Sequence, residues 1–185
     1  MPTAPDGAIP PTDWYPSLTA ASLHSRRPDD SARHWLQVEG SLTRALQLRC
    51  QQRFHVDVLA EGYVRPTREE ALTLGVPLRQ RVWVREVQLC GDHQPWVLAR
   101  TVIPRSTLVG KARRLRHLGN RPLGAFLFSQ PEWQRGTFQI GLCARNDSQR
   151  EPAVARRSRF HCGEHELLVG EYFLPALLRQ PVAAT

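Results

Sequence analysis

Apolar and polar positions along the chain repeat with two different periods, one typical of helices and one typical of strands. Apolar residues recur at helical spacing from 42 to 50, and Ser41 before them is a candidate N-cap, which together predict a helix. The run FHVDVLAEGYV (54–64) alternates instead, with Val56 and Val58 on one face, and predicts a strand. Thr67 and Glu70 have the spacing of a capping box, which predicts a short helix ending near residue 74.

The central segment RVWVREVQLCGDHQPWVLARTVIP predicts a β-hairpin. Two runs rich in β-branched and aromatic residues flank a four-residue turn, GDHQ, that contains Gly91 and Asp92. Pro104 ends the second strand, because proline cannot continue the ladder of backbone hydrogen bonds. This hairpin is the clearest local unit of the chain.

The second half of the chain adds two expected helices and three expected strands. STLVGKARRLRHLG is expected to form a helix with its leucines inward and Gly119 at its end, and Pro122 opens a shorter one, PLGAFLFS. GTFQIGLC and RSRFHCGEHELLVGEYFL predict strands, the last two joined around Gly163. The sum is an α+β fold with a single antiparallel β-sheet of about five to seven strands and helices on one side.

The domain organisation follows from length and proline content. At 185 residues the chain is expected to form one domain. Residues 1–34 are a predicted proline-rich leader in which Trp14 and Tyr15 contact the body, residues 35–178 are the catalytic domain, and residues 179–185 are a tail. No stretch has the roughly 18 apolar residues of a membrane span, and the N-terminus lacks the pattern of a secretory signal. These features predict a cytoplasmic protein.

The charge balance favours anionic partners. The net charge is +8, and arginine supplies nearly all positive charges, since Lys111 is the only lysine. Such a field attracts nucleic acid, acidic lipid or a small polyanion, although many arginines of a basic chain simply face solvent. The clusters KARRLRH and ARRSR lack interleaved aromatic residues, so no nucleic-acid partner is expected. The four cysteines are scattered, which predicts reduced thiols rather than a disulfide framework.

Two charged residues stand in otherwise apolar rows. Arg85 on the first hairpin strand and Glu171 on the last strand share their faces with apolar side chains only, namely Trp83, Val87, Leu89, Leu167, Val169 and Phe173. One interpretation is a buried ion pair between Arg85 and Glu171. The other is a closed pocket in which the arginine binds a ligand carboxylate and the glutamate meets a hydroxyl. The pattern alone leaves both open.

Metal chemistry is not expected from the motifs. His161 and His165, with Glu164 and Glu166 beside them, span a predicted turn at Gly163 and have no third ligand at helical spacing. A glycine-rich phosphate loop, a GxSxG elbow and an HExxH motif are all absent from the sequence.

Five segments carry a resemblance to a known family. GSLTRAL, WVREVQLCGDHQPWVLARTVIPRSTL, LGNRPLGAFLF, RRSRF and LLVGEYFLP occur in an order and spacing similar to chorismate pyruvate-lyase, over residues 35–176. The resemblance implies conversion of chorismate to 4-hydroxybenzoate and pyruvate, the entry step of ubiquinone synthesis. It also implies a fully enclosed site, no metal and no organic cofactor.

Site residues are implied by the same resemblance. Arg85 would bind the ring carboxylate and Glu171 would contact the ring 4-hydroxyl, either as a base or only to orient it. Leu123 would offer a backbone donor near a helix start. Leu42 takes a position that is often methionine in the family, and Arg156 or Arg157 would lie near the second carboxylate of chorismate.

Alternatives from other functional classes stay open at this stage. They are a small-molecule sensor or carrier of the same fold, and a nucleic-acid-binding protein that uses the basic segment 111–116. The segment 145–157 looks expanded relative to the family and could alter a flap over the site. A monomer is expected, because one chain can enclose the whole site.

Overall fold

The computed structural model describes residues 9–24, 27–144 and 152–180. The strands are β1 (Thr12–Tyr15), β2 (Phe54–Val64), β3 (Val82–Gly91), β4 (Gln94–Ile103), β5 (Gln134–Arg135), β6 (Gln139–Cys143), β7 (Val154–Cys162) and β8 (His165–Phe173). The helices are α1 (Leu18–Ser22), α2 (Asp30–Leu36), α3 (Leu42–Arg49), α4 (Arg68–Leu74), α5 (Leu123–Phe128) and α6 (Pro175–Leu178). Within these described residues no helix is long and apolar enough to cross a membrane.

One antiparallel sheet organises the fold, which confirms the predicted α+β class. Its strands lie in the order β1-β6-β7-β8-β4-β3-β2, with β5 paired beside β7. The described part of the sheet has eight strands rather than five to seven. The difference comes from β1 in the proline-rich segment, which pairs with β6, and from the two-residue strand β5.

The two faces of the sheet are buried differently. Apolar residues of α2, α3 and α6 pack with the sheet into the largest core cluster, and α5 belongs to a second cluster. The face against α4 instead buries a charged group, in which Arg100 donates to Glu70 and to Glu86 over 2.6 Å each. Both acceptors are ionisable carboxylates, so this buried guanidinium is fully paired.

The central hairpin is confirmed, but its turn is tighter than predicted. β3 continues to Gly91 and β4 begins at Gln94, so only Asp92 and His93 form the turn. Both have positive φ, at 50° and 64°, the geometry of a two-residue turn that matches strand twist. The carboxylate of Asp92 accepts hydrogen bonds from the backbone N–H groups of Gln51 and Gln52, over 3.0 Å and 2.7 Å. These bonds offset the cost of a left-handed non-glycine residue.

The prediction of an α-helix after β4 is wrong, because this segment forms 3-10 helix instead. Two 3-10 segments, Arg105–Thr107 and Gly110–His117, replace a continuous α-helix. Val109 between them is extended and Gly110 has a φ of +52°, so the helical path is interrupted at its centre. The burial prediction is confirmed, because the three leucines expected to face inward are buried: Leu108, Leu115 and Leu118.

The N-terminal segment packs against the body of the protein. Besides β1, it contributes α2, whose Trp35 and Leu36 are buried in the main core. The contacts predicted for Trp14 and Tyr15 exist as pairings of β1 with β6. The domain boundary between residues 34 and 35 stays a prediction.

Candidate active site

A cavity lies between the sheet and the N-terminal ends of α3 and α5. Its floor comes from β2, β3, β4, β7 and β8. Its lining residues are Gly40, Leu42, Thr43, Val56, Arg85, Val87, Leu89, Ala99, Thr101, Pro122, Leu123, Gly124, Leu127, Phe128, Arg135, Ser158, Phe160, Val169 and Glu171. Most of these side chains are apolar, which suits a hydrocarbon ring. All four residues assigned by the sequence, Leu42, Arg85, Leu123 and Glu171, lie on its wall.

Arg85 enters the cavity from β3 and is almost fully buried. Its Nε donates to Oε1 of Glu61 over 2.9 Å, and its Nη2 donates to the carbonyl of Gly119 over 2.7 Å. Burial lowers the pKa of Arg85, and the neighbouring Glu61 partly opposes that effect. Nη1 has no hydrogen-bond partner among the residues that the structure describes, so this edge of the guanidinium is available to a ligand.

Glu171 enters the same cavity from β8, directly opposite Arg156 on β7. Its Oε2 accepts a hydrogen bond from Nε of Arg156 over 2.6 Å. Arg156 is fully buried, and its Nη1 donates to the carbonyl of Val38 over 2.6 Å. Over the described ranges, Oε1 of Glu171 accepts no hydrogen bond. One carboxylate oxygen is therefore fixed and the other is available.

The predicted alternative of an Arg85–Glu171 ion pair is wrong. Arg85 pairs with Glu61 and Glu171 pairs with Arg156, over 2.9 Å and 2.6 Å. Sequence periodicity could place these charges on the correct face. It could not identify the partners, because register between strands distant in sequence decides which side chains meet.

The two arginines suspected near a second carboxylate do not line the cavity. Arg156 lies behind Glu171, where its Nε donates to that carboxylate and its Nη1 to the carbonyl of Val38. Arg157 points to the other face of the sheet, since strand side chains alternate. There its Nε donates to Gln139 over 2.7 Å and its guanidinium lies 4.1 Å from the ring centre of Trp14.

Arg135 on β5 is a cavity residue that the sequence did not indicate. Its Nη1 donates to the carbonyl of Gly40 over 2.7 Å, and its guanidinium lies 4.4 Å from the ring centre of Phe138. No carboxylate of the described chain lies within 4.0 Å of it. Burial, and next the charge of Arg156, lower the pKa of Arg135. A single arginine in a loop-like run, EWQRG, carries no periodic signal that would have identified it.

Two helix starts meet at the cavity beside these charges. Leu42 and Leu123 are the first residues of α3 and α5. The helices approach so closely that a Cβ on Gly124 would stand 3.2 Å from Oγ of Ser41. Ser41 caps the N-terminus of α3, whereas no described side chain caps that of α5. The first N–H groups of a helix lack partners within the helix and attract anions.

Comparisons with known proteins point to one family. A family model described as chorismate lyase matches residues 18–183. A relative from Marinobacter nauticus, named "Probable chorismate pyruvate-lyase", is 59% identical over 96% of this chain and 94% of its own length. A relative from Yersinia enterocolitica, named "Chorismate pyruvate-lyase", is 38% identical over 95% of this chain and 96% of its own length.

Solved structures show the same fold at low sequence identity. The C-terminal domain of the histidine utilization repressor from Pseudomonas syringae has a TM-score of 0.52 and 17% identity, covering 72% of this chain and 99% of that domain. The effector domain of PhnF from Mycobacterium smegmatis has a TM-score of 0.51 and 17% identity, covering 79% of this chain and 94% of that domain. This likeness shows the fold alone.

Proposed function

The chain belongs to the chorismate lyase family, and we propose on that premise that it converts chorismate to 4-hydroxybenzoate and pyruvate in this cavity. One observation carries the assignment of the site. Arg85, Arg135 and Glu171 each present polar atoms without a described protein partner to one mostly apolar cavity. These polar atoms can pair with a ligand, and a flat ring with polar groups at its ends supplies partners for them.

The ring carboxylate binds at Arg85 in this proposal. Nη1 of Arg85 donates to it, while Glu61 and the carbonyl of Gly119 hold the rest of the guanidinium in place. Backbone N–H groups at the starts of α3 and α5, at Leu42 and Leu123, add donors of the kind that helix N-termini offer to anions. A leucine in place of the family's frequent methionine at 42 has little effect if the contact is made by the backbone.

The ring 4-hydroxyl binds at Glu171. Its Oε1 accepts the hydroxyl hydrogen, and Arg156 fixes the carboxylate through Oε2. The same oxygen faces the cavity and is the atom that would take the C4 proton if Glu171 acts as the base. Glu171 could orient the hydroxyl or act as the base, and both roles use Oε1. The geometry is the same for both, so kinetic measurements have to distinguish them.

Arg135 binds the second carboxylate, on the enolpyruvyl arm. Chorismate is a dianion, so a cavity that binds it needs positive charge beyond Arg85. Arg135 is a lining arginine with no carboxylate of the described chain within ion-pair distance. A guanidinium that is desolvated and only partly paired gains most from an incoming carboxylate.

The reaction needs little from the protein beyond binding and exclusion of water. The C4–H bond releases its electron pair into the ring as the C3–O bond breaks, and the leaving oxygen takes that bond's electrons. Enolpyruvate then gains a proton and becomes pyruvate, while the ring becomes aromatic. The protein holds the reacting conformer and stabilises charge on the leaving group, for which Arg135 is placed.

The wider context of the chain is part of the same proposal. The residues of one chain line the cavity, which supports a monomer. We assign it to the cytoplasm, to the first step of ubiquinone synthesis, and to small-molecule partners only, chorismate and 4-hydroxybenzoate, without nucleic acid.

The test is an assay of purified protein with chorismate in the presence of a chelator. We expect 4-hydroxybenzoate by absorbance and pyruvate by a coupled assay, in equal amounts. Tight 4-hydroxybenzoate binding without turnover would instead identify a sensor or carrier on this fold. If neither turnover nor binding occurs, the charges of the cavity are structural and the proposal fails.

A further inference from the structure

A cluster of three metal-ligating side chains lies outside the cavity. His55 and Asp57 stand two residues apart on β2, and Cys90 lies directly opposite His55 on β3. The neighbouring residues Val56 and Leu89 line the cavity. Because side chains alternate along strands, the cluster faces the other side of the sheet.

The ligand atoms already stand close together. Nε2 of His55 is 3.2 Å from Oδ2 of Asp57, and Sγ of Cys90 is 3.7 Å from the same oxygen. One ligand atom from each of the three residues lies within 4.8 Å of the others. Bonds to zinc of about 2.0 Å from nitrogen or oxygen and 2.3 Å from sulfur require ligand separations of roughly 3.3–3.6 Å in a tetrahedron. Small side-chain rotations therefore bring all three atoms to one metal.

We infer that His55, Asp57 and Cys90 form a binding site for a divalent transition metal of the zinc class. Thiolate, imidazole and carboxylate together are ligands that zinc accepts, whereas magnesium and calcium prefer oxygen alone. The thiol proton that Cys90 now shares with Asp57 leaves to solvent when its sulfur binds the metal. A water molecule completes the tetrahedron, and half-exposed Asp57 leaves an open path for it.

The bound metal would crosslink two strands of the sheet and take no part in the lyase reaction. β2 is an end strand of the sheet in the described chain, and two of the ligands belong to it. A metal shared by β2 and β3 ties this end strand to its neighbour. The metal site lies on the opposite face of the sheet from Val56 and Leu89, which line the cavity, so a bound metal would also stabilise that wall of the cavity.

Cobalt(II) gives a readout that is independent of lyase activity. We would titrate tag-free, reduced protein with cobalt(II) and follow the thiolate-to-cobalt charge-transfer band and the visible bands of tetrahedral cobalt. We expect one cobalt per chain, displaced by zinc. The charge-transfer band should disappear in Cys90→Ser, and cobalt affinity should fall at least tenfold in His55→Asn.

The matched control is Cys162→Ser. Cys162 is a partly buried thiol that pairs across strands with His165 but belongs to no three-residue cluster in the part of the chain that the structure describes. Its loss should leave the titration unchanged. Cys90 is buried, so its substitution could disturb the core. The side chain of His55 is partly exposed, and His55→Asn therefore provides a second test that spares the core. A wild-type protein without the band, or a band that survives in Cys90→Ser, would overturn the inference and leave only a hydrogen-bonded triad.

Discussion

Nε of Arg156 donates a hydrogen bond over 2.6 Å to Oε2 of Glu171, its direct neighbour across β7 and β8. This contact gives the two oxygens of the carboxylate different surroundings. Oε2 is bonded to Arg156, whereas Oε1 faces the cavity. The proposed chemistry depends on Oε1, the oxygen that Arg156 leaves available to the substrate.

Removal of Arg156 should destabilise the fold as well as the site. Arg156→Met leaves Glu171 and the carbonyl of Val38 without their donor. Breaking a buried pair in this way costs about 3–5 kcal/mol, which urea unfolding would measure. The matched control is Arg159→Met on the same strand, where a half-exposed arginine pairs with Glu166 at 3.6 Å and we expect a loss of at most about 1 kcal/mol. Equal losses in the two variants would contradict the assigned role.

Glu171→Gln should weaken product binding and slow turnover. A hydrogen bond to a charged group contributes about 1.5–3 kcal/mol, so we expect roughly 10- to 100-fold weaker binding of 4-hydroxybenzoate. Isothermal titration and steady-state kinetics would measure both quantities. Glu166→Gln, farther along the same strand, is the control and should behave as the wild type. If Glu171→Gln binds and turns over normally, its proposed role is wrong.

Arg135→Gln should impair the reaction of the substrate much more than it weakens binding of the product. Chorismate has two carboxylates and 4-hydroxybenzoate has one, so losing the second arginine should lower kcat/KM for chorismate by roughly 10- to 100-fold. Affinity for 4-hydroxybenzoate should change less than about threefold, because that molecule lacks the second carboxylate.

Arg85→Lys provides the contrast, since it should weaken substrate and product together. Lysine cannot replace a planar guanidinium that binds Glu61, a backbone carbonyl and a ligand at once. An Arg135→Gln variant with equal losses for both molecules would show that Arg135 acts on the ring site instead.

Asp92→Asn should lower stability in a pH-dependent way. Hydrogen bonds from the backbone N–H of Gln52, the thiol of Cys50 and the N–H of Gln51 lower the pKa of Asp92 below its ordinary value of 3.8. A lowered folded-state pKa gives stability that is complete above the ordinary value and is lost as the pH falls through the folded value.

The difference between wild type and Asp92→Asn in urea unfolding should therefore be present at neutral pH and shrink as the pH falls below 3.8, the ordinary pKa of the group. Asparagine tolerates the positive φ of this turn position, so backbone strain does not confound the comparison. A difference that is constant across this range would show that the carboxylate charge contributes nothing.

Local elements were predictable because their signals are local. The capping box of α4, with Thr67 and Glu70 bonded reciprocally, and the Ser41 cap of α3 form as the sequence indicated. The hairpin 82–103 formed as well. The 3-10 segments after β4 were missed, because Gly110 interrupts a pattern whose apolar spacing otherwise fits an α-helix.

The sequence by itself determined the fold class, the inward-facing strand positions of Arg85 and Glu171, and the family. Strand periodicity fixes which face a side chain takes, and long motifs identify relatives. Only the tertiary structure decided that Glu61 and Arg156 are their partners, that Arg135 joins the cavity, and that Arg157 does not. Those contacts depend on pairing register and on packing between segments far apart in sequence, and no local pattern encodes either.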